Sequence, residues 1–114
     1  MSSVGEDWQA LAHAETLLDL RRDAEAEQRF REVLAGDPGS VRALLGLGRA
    51  LNRQDRHGEA EAAVRSALAL DPEHAGGHQV LVDVLCDRGD GPGAVAAAER
   101  ARALAPHDFT SHYQ

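Results

Sequence analysis

Arg42, Arg49 and Arg53 are the residues whose types and spacing most suggest chemistry. Intervals of seven and four place all three on one face of a helix. A guanidinium offers a carboxylate two rigid parallel donors, so the stripe could receive an acidic peptide or a chain terminus. Glu15 and Asp19 on one side in sequence, and Asp83 and Asp87 on the other, could instead neutralise it. Exposed pairs of that kind are worth only ~0–1 kcal/mol each, and a ligand could displace them. The remaining reactive side chains form no constellation. His74 and His78 have the four-residue spacing of a helical metal pair, but no third ligand accompanies them. Cys86 has Asp83 and Asp87 for neighbours, which would not stabilise a thiolate, and reads as a packing residue. Residues 89–93 are rich in glycine but lack the Lys-Ser/Thr ending of a phosphate loop and follow a helix, so they read as a loose turn. Glu25/Glu27 and Glu59/Glu61 read as solvated helix faces, not acid–base pairs. No enzymatic activity, metal or cofactor is expected.

The elements that hold these residues repeat. Pro38, Pro72 and Pro106 stand 34 residues apart, and Ala26, Ala60 and Ala94 keep the same interval. A fixed period without insertions is the mark of stacked helical units. Apolar spacing predicts a first helix from Glu6 or Asp7 to about residue 20, with acids favouring its start. A second spans about 24–35 and buries Ala26, Phe30, Val33 and Leu34. Ser40 should cap a third helix over 41–53. After a turn at 55–58, a fourth covers about 59–70, and a fifth about 75–87. A sixth, with Pro92 tolerated in its first turn, runs to about 104 and is nearly all alanine inside. Residues 109–114 look like the start of a seventh. The sixth helix's inner face near Ala97, Ala101 and Leu104 is then expected to be partly bare.

Composition narrows the partners. The net charge is −7, and every one of the 12 basic residues is arginine. Counterion release on nucleic acid needs clustered basic residues, and anionic membranes need them too, so neither partner is expected. Aromatics are only 4% of the chain, so alanine and leucine must fill the core. One cysteine excludes an intrachain disulfide and suits a reducing, cytoplasmic setting. No apolar run reaches the ~20 residues of a membrane span, and the first residues do not resemble a signal peptide.

The period and pattern resemble the tetratricopeptide repeat family. The small residue of each first helix is matched by Ala14 and Gly48 but not by Val82. The alanine opening each second helix is matched by Ala26, Ala60 and Ala94, its aromatic by Phe30, and the closing proline by Pro38, Pro72 and Pro106. The early bulky aromatic is replaced by Ala10, Leu44 and His78. The resemblance implies an all-α, right-handed solenoid in a single domain, with units over 7–40, 41–74 and 75–108 and a partial fourth over 109–114. It implies a concave groove lined by Leu11, Glu15, Arg42, Leu45, Arg49, Asn52, Arg53, Gln79, Val80 and Asp83. Leu11, Leu45 and Val80 would give apolar contact there and the arginines polarity. Gly46 and Gly76 would leave room for a partner's side chain. Trp8 reads as a packing residue at the start of the array. The clamp by which some members hold chaperone tails is not matched, since its places hold Leu11, Glu15, Gly46, Gly76 and Val80. The expected function is a non-enzymatic module that binds a protein or an acidic peptide. The alternative is a structural segment of a longer protein, self-associating through the incomplete C-terminal end.

Overall fold

The computed structural model describes residues 3–104, with side chains from residue 8 onward. Six helices follow one another: α1 (Ser3–Asp19), α2 (Asp23–Gly36), α3 (Val41–Arg53), α4 (His57–Leu70), α5 (Ala75–Arg88) and α6 (Gly91–Leu104). The expected seventh helix at 109–114 lies outside the described residues. There is no strand among the described residues. Each helix packs on the next, α1 also touches α3, and α3 also touches α5. Among the described residues the backbones of α2, α4 and α6 make no close approach to one another, although the Arg31 side chain of α2 comes within 4.0 Å of Glu59 on α4. An inner row that meets and an outer row that splays make a curved stack, concave on the side of α1, α3 and α5. This is the solenoid that the period predicts.

The turns repeat as faithfully as the helices. Arg21, Asp55 and Gly89, 34 residues apart, all take a left-handed backbone with φ of 65°, 64° and 90°. The next amide reaches back five residues each time: Arg22 to the Leu17 carbonyl, Arg56 to Leu51, and Asp90 to Leu85, at 2.8–3.0 Å. This is the hydrogen bond that closes a helix around a left-handed residue. The reversal takes so few residues that α4 begins at His57, not 59, and α6 at Gly91. The expected loose turn at 89–93 is therefore tight: Asp90 Oδ1 accepts the Gly93 amide at 3.0 Å and caps α6. Between units, Ser40 Oγ accepts the Ala43 amide at 3.2 Å, and His74 Nδ1, one period later, accepts the Gly77 amide at 2.8 Å. α1 begins at Ser3, earlier than expected, since an acid is as favourable in a helix's first turn as at its cap.

The core interlocks through size exchange. Phe30 is completely buried and lies over Gly46, where an added Cβ would stand 2.8 Å from Cε2 and nearer still to Cζ. One unit on, the corresponding places hold Val64 and Val80, both buried. A large residue over glycine in one layer becomes two medium residues in the next, which keeps the layers filled. Gly48 likewise makes room for Val64 Cγ2. Ala97 and Ala101 are buried and Leu104 half-buried, so of the three places where the sixth helix's inner face was expected to be partly bare, Leu104 alone shows appreciable surface.

Ion pairs tie each second helix to the following unit. Glu27 on α2 accepts from Arg31 at 2.9 Å on its own helix, and from Gln54 at 2.9 Å and Arg56 at 2.8 Å beyond. One period later Glu61 accepts from Arg65 at 2.7 Å and from Arg88. Glu27 is held below the usual carboxylate range: burial opposes this, but hydrogen bonds from Gln54, Arg31 and Arg56 and the Arg56 charge outweigh it. Glu61 is lowered mainly by the Arg65 hydrogen bond, against burial, with the Arg65 and Arg88 charges adding to it. The third place in this series is Val95, which is exposed.

Candidate functional site

The concave face is built by the equivalent turns of α1, α3 and α5. Two rows cross it. Glu15, Arg49 and Asp83 occupy one repeat position, and Asp19, Arg53 and Asp87 another. Each row reads acid, arginine, acid. The pattern follows from placing the arginine stripe on the central helix and acids on both neighbours.

The arginines are used unequally. Arg42 is clamped by Glu15, with Nη2 donating at 2.6 Å and Nε at 3.3 Å. Arg53 Nη1 donates to the Leu18 carbonyl at 2.6 Å, the last turn of α1, and reaches Asp23 at 3.4 Å. Arg53 is thus a second donor to a helix-end carbonyl that also accepts from the Arg21 amide, and it ties α3 to the end of α1. Asp87 accepts from Asn52 Nδ2 at 2.7 Å, and Asn52 Oδ1 lies 2.6 Å from His57 Nδ1. The amide oxygen can only accept, so Nδ1 carries the hydrogen. Arg49 differs. It is exposed and, among the described residues, has no carboxylate within 4.0 Å. It borders two clefts: one of about 310 Å³ between α1 and α3, shared with Asp19, and one of about 400 Å³ between α3 and α5, shared with Asp83 and Cys86. The expected neutralisation therefore occurs at Arg42, takes other partners at Arg53, and fails at Arg49.

Several expected groove residues lie elsewhere. Leu11, Leu45 and Val80 are 8%, 8% and 2% exposed and so belong chiefly to the core, though Leu45 and Val80 also line the two clefts beside Arg49. The helical wheel placed them on the right side, but neighbouring first helices close over that side. The room left by Gly46 is taken by Phe30. Gln79 lines a separate cleft with α6, beside Ala98 and Arg102. Trp8, expected to pack, is 64% exposed. It occupies in α1 the repeat position of Arg42 in α3, which was the available signal for its exposure. The Asn52–His57 link escaped notice because no periodicity marks it. His74 and His78 are both committed to backbone: His74 Nδ1 caps α5, and His78 Nε2 lies 2.8 Å from the Pro72 carbonyl.

Comparison with known proteins fits this geometry. The tetratricopeptide repeat profile matches residues 11–75, more than half of the sequence. The chain belongs to the tetratricopeptide repeat family. No curated protein matches it. Among solved structures, a Thermobaculum terrenum O-GlcNAc transferase mutant aligns at 26% identity with a TM-score of 0.88, over 93% of this chain but only 20% of its own. A mutant form of MamA aligns at 21% identity and TM-score 0.78, over 87% of this chain and 72% of that one. The Yersinia enterocolitica type III secretion chaperone SycD, in complex with a peptide of the translocator YopD, aligns at 16% identity and TM-score 0.82, over 98% and 88%. At these identities MamA and SycD support the tetratricopeptide fold alone. Among the described residues no helix is long and apolar enough to cross a membrane.

Proposed function

We propose that this tetratricopeptide array is a non-enzymatic interaction module of the cytoplasm that holds a peptide or partner segment on its concave face. The partner lays a carboxylate on Arg49, and Trp8 at the edge of the same face gives it apolar surface. The observation that carries this reading is the unpaired state of Arg49, among the described residues, between two clefts. A guanidinium that keeps its hydration until a carboxylate arrives has its full hydrogen-bonding capacity to offer. Arg42 and Arg53 give up less, since both already donate to groups of the protein. That the SycD structure holds a peptide is consistent with the reading.

A peptide-array screen followed by calorimetric titration of the best binder tests it. Arg49→Ala should weaken binding by about tenfold or more, the loss of one charge-assisted contact, and leave stability unchanged. A binder held equally well by Arg49→Ala would refute the assignment of the concave face.

A further inference from the structure

The outer face carries a second cleft that differs from the groove in kind. It opens where α4 and α6 stand apart over α5, and has a volume of about 430 Å³. Its floor is Leu81, Leu85 and His78, and its walls include Leu68 and Ala96. The same cleft occurs one unit earlier, over α3, with about 280 Å³. Superposing the period shows what changed. Leu44, Glu59 and Ser66 of the earlier cleft correspond to His78, Gly93 and Arg100 of the later one. Gly93 stands in the place of Glu59, and the acid beside it is now Asp90, whose carboxylate is held by the Gly93 amide at the α6 cap. Arg100 adds a positive charge.

The electrostatics follow. In the earlier cleft Arg31 faces Glu27 at 2.9 Å and Glu59 at 4.0 Å, so the cleft's own lining supplies an acid. The later cleft has two arginines, Arg65 and Arg100, and no Asp or Glu in its lining. Arg65 shares Glu61 with Arg88, which leaves that trio one positive charge in excess. Arg100 is exposed and has no carboxylate within 4.0 Å among the described residues. A cationic apolar slot on a chain of net charge −7 stands out by its charge complementarity to acids.

We propose that the α4–α6 cleft docks an acidic partner segment, one large apolar side chain seated over Leu81 and Leu85 and flanking carboxylates on Arg65 and Arg100. The site lies on the face opposite Arg49 and is independent of the concave groove. A chain segment suits it better than a free small molecule. The walls from Arg65 on α4 to Pro72 just beyond its end, and from Gly93 to Arg100 on α6, each run for about the length of two helical turns, giving a slot open lengthwise.

The test is a titration of the ¹⁵N-labelled protein with a short blocked peptide in which glutamates flank a leucine–phenylalanine pair. Its glutamine counterpart and decanoate are the comparison probes. Shifts should appear at the amides of Leu68, Leu81, Ala96 and Ala97, and the glutamine peptide should bind more weakly by about tenfold or more. Arg100→Ser, which restores the earlier unit's residue, should cost a similar factor. Ala96→Leu fills the slot from an exposed helical position and should abolish the shifts while the melting temperature holds. Arg49→Ala should change nothing here, which separates this site from the concave one. Equal binding of the glutamine peptide, or shifts confined to the concave face, would overturn the proposal. Decanoate saturating the same amides at lower concentration would also overturn it, in favour of a free acyl anion.

Discussion

Replacing Gly46 with alanine tests how the layers interlock. An added Cβ would stand 2.8 Å from Cε2 of Phe30 and closer to two other ring atoms, against an ordinary carbon–carbon separation of about 3.5–4.0 Å. The ring must therefore move by about an ångström in a site where it is fully enclosed. Overpacking of this kind costs about 1–3 kcal/mol, and a shift this large belongs near the upper end. Alanine in mid-helix returns about 1 kcal/mol over glycine. The net expectation is a loss of about 2 kcal/mol, or a melting temperature lower by roughly 8–15 °C for a domain of this size. Urea denaturation of Gly46→Ala, Phe30→Leu and the double variant measures it. Phe30→Leu alone should cost about 1 kcal/mol or somewhat more, but in its background the alanine should be nearly free. The coupling between the two is then about 2 kcal/mol. A Gly46→Ala protein as stable as the parent, or costs that simply add, would refute the account of the core. It would also restore the reading in which Gly46 serves the groove.

The left-handed turns give a paired prediction. Arg21→Gly should stabilise by about 0.5–1 kcal/mol because a side chain is strained there, and Gly89→Ala should destabilise by about 1 kcal/mol, both read from thermal melts. Acid should weaken the inter-unit ion pairs. Glu61 lies below its ordinary 4.5, so its contribution is complete above that pH and is lost as pH falls through the lowered value. Glu61→Gln should therefore melt lower than the parent at pH 7, by an amount on the order of 1 kcal/mol, and the two curves should converge in strong acid. Arg53→Ala should destabilise by about 0.5–1.5 kcal/mol through loss of its hydrogen bond to the Leu18 carbonyl, which keeps the Arg21 amide as a donor, in contrast to Arg49→Ala, and denaturant titration separates them. Ser40→Ala should cost about 1 kcal/mol through loss of the α3 cap, measured by the same titration.

The stack of helices was legible because its signals are local and repeated. Proline and alanine at a fixed interval, Ser40 before α3, and the helical spacing of Leu47, Ala50 and Leu51 each act within a few residues. The rows of Glu15, Arg49, Asp83 and of Asp19, Arg53, Asp87 followed from the same interval. What escaped depends on neighbours distant in sequence. A wheel puts Leu11, Leu45 and Val80 on the concave side but cannot show adjacent helices closing over them. Nothing near Gly46 in sequence announces that Phe30 fills its space. Arg49 and Arg53 look alike on a helix; the Leu18 carbonyl at the end of α1 distinguishes them. The outer cleft was missed because its character shows only when units are compared, the glycine at 93 standing where the preceding unit has a glutamate.

The three left-handed residues have a consequence for how such a molecule can change. The angle between paired helices is set in the main chain by one dihedral choice made at Arg21, Asp55 and Gly89, whatever side chain stands there. A copied stretch covering residues 40–73 would arrive with its own bend at Asp55 and its own cap at Ser40, and its edges would meet surfaces already shaped for them. Lengthening by duplication is thus cheap for this architecture, and each copy is free to drift in charge, as the two outer clefts already have.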